Sequence, residues 1–173
     1  MAAPFVLSAW QAAEGRQVAI VLKHSPELYY AFLGAILHGC IPSFMPHPSP
    51  RQDPQLYWRN HRDVFEQTAI GIAVTYPENA AELGARFPRL RVFTPSDARA
   101  AAQPPARAID PSTTAFIQYS SGTTGLKKGV ALSHAAVCEQ IERYSAALEL
   151  KADDVIVSWL PLYDDMGLIA CFM

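Results

Sequence analysis

Between Tyr119 and Gly129 the chain reads Tyr-Ser-Ser-Gly-Thr-Thr-Gly-Leu-Lys-Lys-Gly, a run of small, hydroxylated and glycine residues that ends in two lysines. Gly122, Gly125 and Gly129 can take positive φ and let backbone N–H groups converge on one point. Ser120, Ser121, Thr123 and Thr124 add hydroxyl donors, and Lys127 and Lys128 add positive charge. Convergent donors backed by charge suit the oxygens of a polyphosphate. The spacing is not that of a Walker loop: Gly122 and Gly125 stand too close, and Gly129, not Ser or Thr, follows Lys128. Apolar segments over 114–118 and 130–132 predict strands on either side, so the expectation is a strand–loop–strand phosphate cradle with no helix dipole behind it.

The string from Ser120 to Val130 resembles the phosphate loop of the adenylate-forming enzymes, a superfamily that includes acyl-CoA synthetases, fatty acyl-AMP ligases and nonribosomal adenylation domains. A second string, Ser158-Trp159-Leu160-Pro161-Leu162-Tyr163-Asp164-Asp165-Met166-Gly167-Leu168, resembles the segment that follows at a similar distance in the fatty acyl-AMP ligase branch. The resemblance implies activation of a carboxylic acid, by expectation a fatty acid, with ATP to give an acyl-adenylate and pyrophosphate. Transfer to a thiol of coenzyme A or an acyl carrier protein would follow. A carboxylate is a poor nucleophile facing a polyanion, so this chemistry needs charge neutralisation and in-line positioning. The resemblance assigns the β- and γ-phosphates to Ser120, Ser121, Gly122, Thr123, Thr124, Gly125 and Lys128, with Mg²⁺ bridging oxygens. It places Tyr163, Asp164 and Asp165 in the acyl and nucleotide pocket.

Two positions depart from the family pattern. Lys127 stands where relatives usually carry Pro, leaving the loop less stiff and more basic. Asp164 stands where they mostly carry His, and a carboxylate beside phosphates is electrostatically unfavourable. Asp164 therefore points away, meets a cation, or alters activity. Tyr163 reads as a pocket wall, and Asp165 either as a cap for the following turn or as a catalytic group. The resemblance puts the adenine motif, the Mg²⁺-binding acid, the ribose-binding aspartate and a C-terminal lysine beyond Met173. No catalytic residue is therefore assigned within the chain, and the chain alone is expected to be inactive. The alternative reading is a non-catalytic nucleotide-binding or assembly module that keeps the fold.

These residues need a scaffold, and 173 residues with 50% hydrophobic and 17% charged content suffice for one folded domain. A net charge of −2 and scattered basic residues give no reason to propose nucleic acid. Cys40, Cys138 and Cys171 are widely spaced and read as buried thiols of a reducing compartment, with no metal site. No apolar run approaches a membrane span, and Met1 to Ala13 lacks the basic start of a signal peptide, so a cytoplasmic soluble protein is expected. That first segment reads as a short helix carrying Phe5, Leu7 and Trp10. The last residues, Leu168 to Met173, are apolar and predicted to lie bare. The chain is therefore read as the N-terminal part of an AMP-binding domain, one that self-associates when isolated.

In order, strands are predicted at 17–22, 40–45, 70–74, 91–93 and 155–160. A helix opens at Ser25-Pro26 and closes at Gly39, another opens at Asp53-Pro54 with Leu56, Tyr57, Val64 and Phe65 inward, and a third runs from Pro77 to Arg86. Ser133 caps a fourth, with Val137, Ile141, Tyr144 and Leu148 at helical spacing and His134 in its first turn. His47, in a proline-rich loop at a strand's carboxyl end, is a candidate site residue. Residues 95–111 read as a surface linker within a single domain. The expected fold class is α/β: a mostly parallel sheet with helices on both faces, plus one antiparallel ribbon carrying the phosphate loop.

Overall fold

Val18, Ala19, Ile20 and Val21 have no solvent contact, because strand β2 (Gln17–Val21) is paired on both edges and covered on both faces. The computed structural model describes residues 5–7, 16–100, 108–119 and 128–173. Strands β3 (Ile41–Phe44) and β4 (Ile70–Thr75) flank β2, and β5 (Arg91–Phe93) pairs with β4, all in parallel, in the order β3-β2-β4-β5. The central strands β2 and β4 are largely apolar because both of their faces are covered, while edge strand β5 carries exposed Arg91.

Helix α1 (Pro26–Leu37) covers one face, setting Leu28, Ala31, Phe32 and Ala35 against Val18, Ile20, Phe44, Ile72 and Val74. Phe32 stacks on Phe44 with ring centroids 4.5 Å apart. Burying one such side chain stabilises the fold by about 1.5–3 kcal/mol. Helices α2 (Pro54–Gln67) and α3 (Pro77–Arg86) cover the other face, where Tyr57, Trp58, Val64, Phe65 and Leu83 meet Ala19, Val21, Met45, Ile70 and Ala73. The α/β fold class, with a parallel sheet and helices on both faces, is as the sequence predicts. Thr75 ties the sheet to α3: its hydroxyl donates to Val21 O at 2.9 Å and accepts from Asn79 Nδ2 at 3.1 Å.

The helix signals act largely as expected. Pro26 and Pro77 open their helices, where a missing N–H costs nothing. The Asp53 carboxylate accepts from Gln55 N–H at 2.7 Å and Leu56 N–H at 3.4 Å. Gly39, at φ 71°, ends α1: its N–H donates to Ile36 O and Cys40 N–H to Ala35 O, both at 2.9 Å, a Schellman closure. Ser25 is an exception. Its side chain makes no capping bond; it bonds the Glu27 carboxylate instead and holds that group below its ordinary range. Leu56 is exposed, since the buried stripe of α2 runs through Tyr57, Trp58, His61, Val64 and Phe65.

Strands β7 (Thr114–Tyr119) and β8 (Gly129–Ser133) form the expected antiparallel ribbon, but it does not join the parallel sheet. It lies beside β3 as a sheet of its own. The chemistry of β3 explains this. Ile41 and Met45 N–H donate toward β2, to Arg16 O and Ile20 O, so the alternate position, Pro42, faces the ribbon and has no N–H to give. A second antiparallel pair also exists, between β1 (Phe5–Leu7) and β6 (Ala98–Ala100). Residues 5–7 are thus strand and not helix, and Trp10 lies outside the described residues. The 95–111 segment is not structureless: a 3₁₀ turn over Pro95–Asp97 leads into β6, with Thr94 N–H donating to the Asp97 carboxylate at 2.7 Å.

Three further expectations are corrected. Residues 155–160 form no strand, and Val155, Val157 and Trp159 are 84%, 86% and 90% exposed. Their β-branched composition favours extension, but the segment pairs with no described strand. The apolar chain end is not bare: Met166–Phe172 winds into a π-helix that folds back on the α1 face, with Leu168 buried and the Phe172 ring 5.0 Å from that of Tyr29. That cover removes the ground on which self-association is expected. Of the three cysteines, Cys40 is buried, Cys138 exposed and Cys171 intermediate. Helix α4 (His134–Ala147) is capped by Ser133, whose hydroxyl accepts from Ala136 N–H at 3.2 Å. It buries no residue fully, and Leu148 lies beyond it, exposed. Among the described residues no helix is long and apolar enough to cross a membrane.

Gly39→Ala forces a Cβ into left-handed backbone, and the expected loss is about 1–2 kcal/mol. A lower denaturant midpoint at unchanged slope is the check.

Candidate functional site

The phosphate-loop region is built on the ribbon. The last pair of its register is Tyr119 with Gly129. No helix follows: β8 starts at Gly129. Ser120, Ser121, Gly122, Thr123, Thr124 and Gly125, with Lys127, lie outside the described residues, so their cradle role stays an expectation. Lys128 is described and exposed, and no ion pair holds it among the described residues.

The base of the ribbon is tightly fitted. A Cβ on Gly129 would stand 3.0 Å from both Ile117 Cγ2 and Tyr119 Cε1, so only glycine fits without displacing a neighbour. Tyr119 packs against the core beneath α2 and α3. Burial pushes its phenol up, partly offset by a hydrogen bond with the Thr68 side chain.

The second motif meets the ribbon through one bond. Gln118 Nε2 donates to Tyr163 O at 2.6 Å, across 45 positions of sequence. Tyr163 packs on the α1-side core, and its phenol is raised by burial and then by the Asp164 charge. It lines a cleft of ≈ 80 Å³ with Leu22, His24, Phe44, Met45 and His47. Leu22 follows β2, and Met45 and His47 follow β3, so the cleft sits at the carboxyl ends of these strands. The chain runs from β2 to β3 and then back across β2 to β4, and the cleft lies at the carboxyl edge of the sheet, the edge where open α/β sheets take ligands. Burial, then the Lys23 charge, holds the His47 imidazole below its ordinary range. The Lys23 ammonium itself lies 4.4 Å over the Tyr76 ring.

Asp164 and Asp165 are both exposed. The Asp165 carboxylate accepts from Met166 N–H at 2.9 Å and heads the π-helix, a capping role. Asp164 has no ion pair among the described residues, and its backbone is engaged at both ends, N–H to Pro161 O at 3.2 Å and carbonyl from Leu168 N–H at 3.0 Å. Gly167 is required in this turn, since a Cβ there would lie 2.2 Å from Pro161 O. An apolar cleft of ≈ 250 Å³ opens between ribbon, α4 and π-helix, lined by Phe116, Leu132, Val137, Ile141, Ile169 and Met173. His134 faces a different cleft, with Cys40, Asp110 and Thr114.

The structure thus brings His47 and Tyr163 to one cleft and joins it to the end of β7. Sequence reasoning missed Gln118 and His24. The signal for Gln118 was a lone amide in the otherwise apolar run Ala115-Phe116-Ile117. Among the described residues no group of three His, Cys, Asp or Glu side chains could hold a metal ion.

Two outcomes follow from this geometry. Gly167→Ala should lower stability by about 3 kcal/mol, because backbone must move to admit the methyl, and a thermal melt reads it. His47 has a folded pKa below its ordinary 6.5, so the unfolded chain takes up the proton first. The stability it contributes is complete above that pH and is lost as pH falls through the depressed folded value. NMR titration of the His47 ring should give a midpoint below 6.5, and a midpoint above it would contradict the assignment.

Comparison with known proteins places the chain. The family described as AMP-binding enzyme matches residues 5–173. The 4-coumarate–CoA ligase of Vanilla planifolia is 31% identical over 169 residues, covering 87% of this chain and 30% of that protein. The long-chain-fatty-acid–AMP ligase FadD32 of Mycobacterium marinum is 28% identical over 172 residues, covering 92% of this chain and 26% of that one. A solved fatty acid AMP ligase from Legionella pneumophila superposes with a TM-score of 0.81 at 26% identity, over 95% of this chain and 29% of that chain. The chain therefore spans less than a third of the length of these curated relatives.

Proposed function

Because the chain belongs to the AMP-binding enzyme family, we propose that the protein activates a carboxylic acid with ATP as an acyl-adenylate and passes the acyl group to a thiol. Relatives named as a coumarate–CoA ligase and a long-chain-fatty-acid–AMP ligase share acid activation and differ in the acid. The proposed substrate is a hydrophobic carboxylic acid, a fatty acid first, and the acceptor coenzyme A or an acyl carrier protein. The observation that carries the reading is the Gln118–Tyr163 bond. It sets the strand feeding the phosphate loop against the second motif, at the carboxyl edge of the sheet.

In the proposed step an acid carboxylate oxygen attacks the α-phosphorus, and the bond to the departing pyrophosphate breaks. Negative charge accumulates on that pyrophosphate. Lys128, a cation without an ion-pair partner among the described residues, supplies charge to it at the loop's end, and Ser120, Ser121, Thr123 and Thr124 supply hydroxyl donors. Tyr163 walls the acid side, and Asp165 shapes the turn behind it. Solvent at exposed Asp164 moderates the repulsion between its carboxylate and a phosphate. Mg²⁺ would neutralise phosphate charge when bound, but the described residues form no cluster to hold it and no step is assigned to it. Three widely spaced cysteines with no C-x-x-C pattern fit a reducing, cytoplasmic setting.

The activity is proposed of the whole protein; residues 1–173 alone are expected to be inactive, since they span under a third of the relatives. The second reading, a non-catalytic nucleotide-binding module, is favoured by the carboxylate at Asp164. Acid-dependent ATP–pyrophosphate exchange across fatty and hydroxycinnamic acids separates the two. Lys128→Ala should lower exchange by about 100-fold while the melting temperature stays unchanged. Wild-type activity in that variant would remove Lys128 from the site, and exchange with no acid would leave the second reading standing.

A further inference from the structure

We propose that Gln118 is a positioning residue, a latch that fixes the acid-side segment around Tyr163 to the strand carrying the phosphate loop. The proposal rests on the adenylation reading for its catalytic consequence and on geometry alone for the latch itself.

Gln118 is the second-last residue of β7, paired with Val130 of β8, and so is held by the ribbon's own ladder. Its side chain crosses to another part of the chain and donates from Nε2 to Tyr163 O at 2.6 Å in a partly buried position. Its Oε1 is buried and has no hydrogen-bond partner. The amide is therefore oriented by one bond only. Turning it over would set Oε1 against the Tyr163 carbonyl, oxygen to oxygen, with nothing gained for the displaced nitrogen. The position needs a donor, and a side chain offering only an acceptor opposes the bond.

The other end of the latch is a short, self-bonded turn. Asp164 N–H donates to Pro161 O, Leu168 N–H to Asp164 O, and the Asp165 carboxylate caps Met166. Among the side-chain hydrogen bonds of the described residues, Gln118 makes the one that ties this turn to the ribbon. Releasing it frees the backbone of Tyr163 while leaving β2, β3 and β4, whose bonds lie elsewhere, intact.

Two variants of the protein test this. Gln118→Met keeps length and removes the donor. Hydrogen exchange at the amides of residues 164–168 should then speed up about tenfold, with β2 and β4 amides unchanged. Gln118→Glu offers a carboxylate at about pH 8 and, once protonated below about pH 4, an O–H donor. Its exchange at 164–168 should be fast at the higher pH and return toward wild type at the lower. In the ATP–pyrophosphate assay the Met variant should lose about tenfold in kcat with KM for ATP unchanged, and the Glu variant's deficit should shrink as pH falls. Wild-type exchange at 164–168 in Gln118→Met overturns the latch, as does acceleration spread equally through β2 and β4. If no acid supports activity, the adenylation reading fails, and the amide rates by themselves still decide for or against the latch.

Discussion

Everything described depends on β2 being enclosed. Its five residues are hydrogen-bonded to β3 on one edge and β4 on the other, while α1 closes one face and α2 and α3 the other. Val18 to Val21 meet water nowhere, which makes their backbone bonds obligatory and their register fixed. The neighbours then have no freedom left: β3 lies on one side and β4 on the other, and Leu22, Met45 and His47 converge where β2 and β3 end side by side. The location of the cleft is a consequence of strand order, and its contents a consequence of which residues follow each strand.

Much of this was legible because its signals are local. Pro77 to Arg86 as helix and Arg91 to Phe93 as strand coincide with the prediction, since a proline at a first turn and a Val-Phe pair each state their preference within a few residues. The Gly39 closure was readable for the same reason. What was not legible required a partner. Val155 to Trp159 has a strand's composition and pairs with no described strand. Phe5 to Leu7 is a strand only because Ala98 to Ala100 pairs with it from 90 residues away, a match no local pattern announces. Pro42 is the instructive case: visible in the sequence as a strand residue without a donor, it decides that the ribbon lies beside the sheet and not within it.

The candidate site divides along the same line. The motif spanning Ser120 to Gly129 declared itself by residue type and spacing, and so did Tyr163 to Asp165. That the two are joined by a single amide could not be read, because the bond links a side chain to a backbone carbonyl, and carbonyls carry no sequence signature. Charge is likewise a matter of placement. Lys23 shares its ammonium with an aromatic face, Lys128 stands exposed, and Asp165 spends its carboxylate on a helix start. Formal charges at one edge of a sheet are therefore poor guides to the potential there.

The exposed stretch from Val155 to Trp159 has a colloidal consequence. Three consecutive β-branched residues in open water are a template for unwanted cross-β pairing. They are bracketed by Asp153 and Asp154 on one side and by Pro161 on the other. Like charges repel an approaching copy and proline interrupts a ladder, which is how gatekeeper residues restrain a hydrophobic strand. The acidic pair at 153–154 thus stands where a gatekeeper would restrain this exposed segment.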